Sequence, residues 1–287
     1  MANLKEIRSR ISSVGSTMQI TSAMKMVSAA KLKRAQDAII QMRPYSQKLT
    51  ELLKNLSANL DDSEEGGYSK QRKIKNVLLV TITSNRGLCG GFNAYIIKSA
   101  KKLIEEEFQK QHVDIFSIGK KSTDHFNKND YNVIDSRDEL FNELTFENVS
   151  IIAEEIMKKY IDGEYDKIML VYNQFKNAAT QIIMNENFLP IQKQNNQETN
   201  STDYIFEPNK TQIIKDLIPK SLKTQLFKAI LDSHAAEHGA RMTAMHKATD
   251  NAGELKKELT LTYNKARQAA ITGEILEIVG GAEALNN

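Results

Sequence analysis

Residues His234-Ala235-Ala236-Glu237-His238 spell H-x-x-E-H, a zinc-peptidase pattern with two imidazole ligands and a glutamate general base. On a helix the i, i+4 spacing puts both rings on one face. A catalytic zinc also needs a third protein ligand and a walled cavity that positions water. The candidate glutamate ligands considered downstream are Glu254, Glu258, Glu274 and Glu277. The nearest of them would stand about 24 Å further along the same helix. The spacing therefore reads first as polar faces of a long helix, with a zinc hydrolase built on His234, Glu237 and His238 as the alternative.

Two further stretches invite a phosphate reading. Gly119-Lys120-Lys121-Ser122-Thr123 fails as a phosphate loop because Asp114 stands where G-x-x-x-x-G-K-[ST] requires Gly. Ser84-Asn85-Arg86-Gly87-Leu88-Cys89-Gly90-Gly91-Phe92-Asn93 follows a strand pattern and opens a helix pattern, where backbone N–H groups could receive an anion. It matches neither G-x-G-x-x-G nor a Walker loop, so a tight structural turn is expected. Cys89, the one cysteine, reads as a buried inert thiol and excludes an internal disulfide. Arg8, Arg10, Lys25, Lys31, Lys33, Arg34 and Arg43 form a basic run with no aromatic residue before Tyr45, so base stacking is unsupported. A helical face meeting solvent or acidic protein loops fits better. No cofactor or metal is expected.

The elements that carry these residues follow from proline and periodicity. The 287 residues hold four prolines, at 44, 190, 208 and 219, where average usage would give about 14. Residues 1–43 and 220–287 have none, so both ends read as long helix. Leu4, Ile7, Ile11, Val14 and Met18 form a coiled-coil seam. Its phase is expected to slip through Met24 and Val27, as in a stutter, and to resume at Leu32, Ala35, Ile39, Met42, Tyr45 and Leu49. Pro44 is expected to kink this helix. Met242, Met245, Leu255, Leu259, Ala266, Ile275 and Ile278 lie near one stripe of the C-terminal helix, with Gly280-Gly281 as its stop. Residues 220–279 as a single helix would span about 90 Å, against a diameter of roughly 50 Å for a compact chain of this length. The two ends are therefore expected to pair as an antiparallel coiled coil.

Between them the pattern changes. Asn76–Thr83, Val113–Ile118, Tyr131–Ile134 and Lys167–Asn173 read as strands, helices are expected at about 93–109 and 147–160, and Gln181–Met184 is expected to pair antiparallel with its predecessor. Strands alternating with helices predict a central α/β domain with a largely parallel sheet. The expected divisions are a coiled-coil helix over 1–60, an α/β domain over 74–205 and a second coiled-coil helix over 209–285. Polar linkers are expected at 61–67 and 192–201. Residues 1–56 carry ten basic and three acidic side chains, net +7, while residues 57–219 carry 20 and 25, net −5. An acidic partner is expected at the first end. No run of about 18 apolar residues suggests a membrane span.

With these elements in place, the chain resembles the gamma subunits of rotary F-type ATP synthases, the central shaft. Ile7-Arg8-Ser9-Arg10-Ile11 through Ile20-Thr21-Ser22-Ala23-Met24-Lys25-Met26-Val27-Ser28-Ala29-Ala30-Lys31-Leu32 is similar to the family's opening. The turn at 84–93 is similar to its central motif, and Asp203-Tyr204-Ile205-Phe206-Glu207-Pro208 to its D-Y-x-[YF]-E-P segment. Ala240-Arg241-Met242-Thr243-Ala244-Met245 and Leu261-Thr262-Tyr263-Asn264-Lys265-Ala266-Arg267-Gln268-Ala269-Ala270-Ile271-Thr272 resemble its ending. Ser16, Gln19, Asn85 and Gly273 depart from the usual pattern. The resemblance implies a non-catalytic subunit that couples rotation of a membrane c-ring to the conformations of three catalytic beta subunits. Implied partners are three alpha and three beta subunits, epsilon and the c-ring. Arg267, Gln268, Arg241 and Met24 would face beta, and Tyr204 and Glu207 would lie at the foot, against epsilon or the c-ring. The start lacks a transit-peptide pattern, so a bacterial chain on the cytoplasmic face of the inner membrane is expected.

Overall fold

The computed structural model describes residues 4–57, 67–191 and 210–285. Tyr204 and Glu207, the linker at 192–201 and most of that at 61–67 lie outside the described residues. The elements run α1 (Leu4–Ser57), β1 (Asn76–Ile82), α2 (Phe92–Lys102), β2 (His112–Ile118), α3 (Lys120–Lys128), β3 (Val133–Ser136), α4 (Phe146–Ile161), β4 (Lys167–Phe175), β5 (Gln181–Leu189) and α5 (Lys210–Leu285). A π turn at Leu103–Glu107 extends α2, and a 3-10 turn at Glu139–Asn142 precedes α4. The fold is an antiparallel coiled coil of the N- and C-terminal helices together with a Rossmann-like α/β domain. It divides into two compact units, one of residues 1–28 with 242–287 and one of 29–241.

The larger unit holds a five-stranded sheet in the order β3-β2-β1-β4-β5. β1 pairs in parallel with β2 and with β4, while β5 runs antiparallel to β4 as an edge. β1 is buried on both faces, as a central parallel strand must be when helices cover both sides. Its alternate residues therefore serve two cores. Leu78, Val80 and Ile82 pack with α4 and with Leu222, Leu226, Ala229 and Ile230 of α5. Val77 and Leu79 pack with Phe92, Ile96 and Ala100 of α2 and with Phe126 of α3. Ala236 belongs to this second cluster, so α5 passes from one core to the other around the carboxyl edge of the sheet. Gly119, between β2 and α3, sits at φ 106°, and a Cβ there would stand 2.1 Å from the Thr83 carbonyl oxygen. Only glycine fits that approach.

In the smaller unit, α1 and α5 face each other in antiparallel register. Arg8 Nη2 donates to Tyr263 Oη at 2.6 Å, Thr21 Oγ1 and Thr249 Oγ1 lie 2.8 Å apart, and Lys25 Nζ stands 3.4 Å from His246 Nδ1.

Burial along the helices corrects three expectations. The α1 seam does not slip. Residues 4, 7, 11, 14, 18, 21, 25, 28, 32, 35, 39, 42, 46 and 49 are buried or half-buried at unbroken 3–4 spacing, while Val27 and Tyr45 are exposed. Thr21, Ser28 and Ser46 fill seam positions that hydrophobicity alone does not mark. Ser28 Oγ donates to the Met24 carbonyl at 2.7 Å, which satisfies a small hydroxyl inside the seam. On α5 the inward line runs Met245, Thr249, Ala252, Lys256, Leu259, Tyr263 and Ala266, whereas Leu255, Ile275 and Ile278 are exposed. Finally, α5 continues past Gly280-Gly281 to Leu285.

Candidate functional site

The H-x-x-E-H residues lie on the part of α5 that rounds the sheet edge. The His234 and His238 rings meet edge to face with Nε2 atoms 3.1 Å apart, and His234 stacks on Phe141. Burial pulls the His234 pKa down to about 4, helped by Lys31 and Arg241. Burial, His234, Arg241 and Lys31 pull His238 down to about 3. Both imidazoles are neutral at pH 7. The Glu237 carboxylate accepts from Arg241 Nη1 at 2.5 Å. Burial pushes Glu237 up, against the opposing pull of Arg241 and Lys31.

This geometry removes the zinc-hydrolase alternative. The carboxylate that would serve as general base is engaged by a guanidinium. Lys31 and Arg241, the cations beside the imidazoles, would oppose a divalent metal as well. Among the described residues no cluster of three or more His, Cys, Asp or Glu side chains is placed to hold a metal ion.

Arg241 also reaches across to the 84–93 turn, where its Nη2 donates to the carbonyls of Arg86 at 3.0 Å and Gly87 at 3.3 Å. The turn is folded tightly on itself, as the sequence predicts. Ser84 N donates to Asn93 Oδ1 at 2.9 Å and Ser84 Oγ to the Arg86 carbonyl at 2.7 Å. Asn93 Nδ2 donates to Ser84 Oγ at 2.8 Å and Cys89 Sγ at 3.2 Å. Leu88 and Gly90 take left-handed backbone at φ 63° and 60°. The Cys89 thiol is buried, and burial pushes its pKa up. In a dinucleotide-binding α/β fold this position cradles phosphate with N–H groups. Here the turn presents carbonyls to an arginine of the same chain, the opposite polarity.

The remaining expected contact residues fall on the coiled coil. Arg267 and Gln268 are exposed on α5, and Met24 is half-buried on α1. Arg241 is buried, its guanidinium committed within the chain. Its inward role was not legible in sequence because its partners on the turn lie 155 and 154 residues away. Asp232 was also missed. Its carboxylate is fully buried, without a hydrogen-bond partner among the described residues, and Arg43 Nη2 lies 3.9 Å away. No described helix is long and apolar enough to cross a membrane.

Long N- and C-terminal helices in antiparallel register, and an α/β domain whose carboxyl-edge turn is bonded by Arg241 of the chain's own helix, define a coiled-coil plus α/β class of protein. The sequence matches the family described as ATP synthase over residues 3–285. It is 64% identical over 287 residues to the ATP synthase gamma chain of Flavobacterium johnsoniae, covering 100% of both chains. It is 65% identical over 286 residues to that of Flavobacterium psychrophilum, covering 99% of each. A chain in the Euglena gracilis mitochondrial ATP synthase assembly of OSCP, F1 and c-ring superposes with a TM-score of 0.73 at 25% identity, covering 98% of this chain and 94% of that one. The chain belongs to the ATP synthase gamma chain family and is a non-catalytic subunit.

Proposed function

We propose that this chain is the central rotor shaft of an F-type ATP synthase, coupling rotation of a membrane c-ring to conformational change in three catalytic beta subunits. The full-length identity to curated gamma chains is the observation that carries this reading. Residues 1–60 and 209–285 form the shaft, and residues 74–205 form the foot. One asymmetric shaft inside a ring of three alpha and three beta subunits touches the three catalytic sites differently. An orientation that favours one beta conformation shifts that subunit's population, and by linkage nucleotide binding biases the shaft in return. One proton moved down the membrane potential supplies only about 2.3 kcal/mol per 100 mV, so several steps must be summed through the shaft.

The exposed pair Arg267 and Gln268, with Met24, are the contact points for beta, and the net charge of +7 over residues 1–56 suits an acidic lever on it. Arg241 is assigned no contact with beta, because its guanidinium is buried and bonded within the chain to Glu237 and to the Arg86 and Gly87 carbonyls. Tyr204 and Glu207 are assigned to the foot, facing epsilon or the c-ring. The complex is peripheral on the cytoplasmic face of a bacterial inner membrane, with proton as the coupling ion. Native mass spectrometry after co-expression with alpha and beta tests the assembly. One copy per three alpha and three beta is expected, and a hexamer that forms without this chain bound would refute it.

A further inference from the structure

The stretch of α5 that rounds the sheet edge is held by directional contacts that converge on one side chain. The Arg241 side chain is 10% accessible; one of its nitrogens pairs with Glu237 a turn back on the same helix, and another donates to the carbonyls of Arg86 and Gly87. Ser233 Oγ, two turns earlier, donates to the Ile82 carbonyl at the end of β1 at 3.4 Å. Between them, Gly239 approaches the β4–β5 turn so closely that a Cβ would stand 3.2 Å from Ala178 Cα. The turn that receives the guanidinium is internally braced by Ser84, Asn93 and the left-handed Leu88 and Gly90.

Apolar burial alone would not set the angle of this helix. Hydrophobic attraction is non-directional, so a helix can rotate or slide on its apolar bed at small cost. Hydrogen bonds weaken steeply once misaligned, and those made by a charged donor are the stronger kind. A guanidinium oriented by a carboxylate on its own helix and bonded to two carbonyls of the sheet-edge turn resists both rotation and sliding. It is also too buried to be a broad recognition surface.

We infer that Arg241, oriented by Glu237, is a torque clamp: a positioning residue that locks the angular setting of α5 on the α/β domain by gripping the Arg86–Gly87 turn. The inference rests on the shaft reading. A shaft passes on torque only if the domain that receives it cannot turn without turning the helix. Arg241 then acts inside the chain, and its loss loosens the connection rather than removing a contact with beta.

The test uses the whole membrane complex in vesicles, measuring ATP hydrolysis and ATP-driven ion pumping together. Arg241→Gln is expected to leave hydrolysis within about twofold while ions pumped per ATP fall about fivefold. Glu237→Gln, which leaves the carbonyl bonds and removes only the orienting carboxylate, is expected to give a smaller fall in the same direction and serves alone if Arg241→Gln does not assemble. In the Arg241→Gln background, Ala178→Cys with Gly239→Cys places two thiols at the close approach between α5 and the β4–β5 turn. Their oxidation is expected to restore pumping, and reduction to return it to the level of Arg241→Gln alone. Unchanged pumping per ATP in both single variants would overturn the clamp, as would a disulfide that forms without restoring coupling. A parental complex that hydrolyses ATP but never pumps would instead refute the shaft reading itself.

Discussion

Replacing Asp232 with asparagine should make the protein more stable at neutral pH and change nothing in acid. The Asp232 carboxylate is buried with no hydrogen-bond donor among the described residues. Burial raises its pKa from 3.8 to about 6; Arg43 of α1 and Lys228 of its own helix pull it down, and Glu186 of β5 pushes it up. Because the folded value lies above the unfolded one, the favourable contribution is the neutral form. That contribution is complete below about pH 4 and is lost as pH rises through about 6. The gap corresponds to about 3 kcal/mol at about 1.4 kcal/mol per pH unit. That gap is already net of the attraction of the half-exposed Arg43 at 3.9 Å. Asp232→Asn should therefore gain about 1–3 kcal/mol at pH 7.5 and about nothing at pH 4. Urea unfolding of the purified chain, followed by far-ultraviolet circular dichroism across that range, reads the difference directly. Parallel pH profiles for the two proteins would refute the reasoning, since they would mean that Asp232 does not titrate in that window.

The histidine pair predicts the opposite slope. His234 and His238 have folded values well below 6.5, so their contribution is present above about pH 6.5 and is lost on acidification. His238→Gln should flatten the acid limb of the same urea profile, and an unaltered limb would count against a buried neutral pair. Gly119→Ala should cost about 3 kcal/mol or more in the urea midpoint, because of its left-handed backbone and the 2.1 Å approach to Thr83. Arg267→Ala combined with Gln268→Ala should lower coupled ATP turnover while the complex still assembles, and unchanged turnover would remove both residues from the proposed contact with beta.

Long-range features decided what was legible in the sequence. The α/β core was readable because parallel strands buried on both faces appear as apolar runs, of which Asn76–Ile82 is an example. The helical ends were readable from the absence of proline. The seam was misread at Thr21 and Ser28 because a hydroxyl satisfied by its own helix can occupy a core position that hydrophobic periodicity passes over. Leu255 misled in the other direction, as an apolar residue at helical spacing that faces outward. The short helix α3 was hidden in the stretch after Gly119 that was weighed as a phosphate loop. H-x-x-E-H was visible, but its meaning depended on Lys31 and on Arg241 with the 86–87 turn, groups brought to it only by the fold. Asp232 carried no local signal at all, since its burial depends on helices from opposite ends of the chain.

Rotation is the property on which the account stands. With the assembled complex fixed to a surface through its beta subunits and a bead attached to the α/β domain of this chain, added ATP should turn the bead in one direction, pausing at three equally spaced angles. A bead that stays still, or only diffuses, while the same complexes hydrolyse ATP would contradict the assignment of this chain as the shaft.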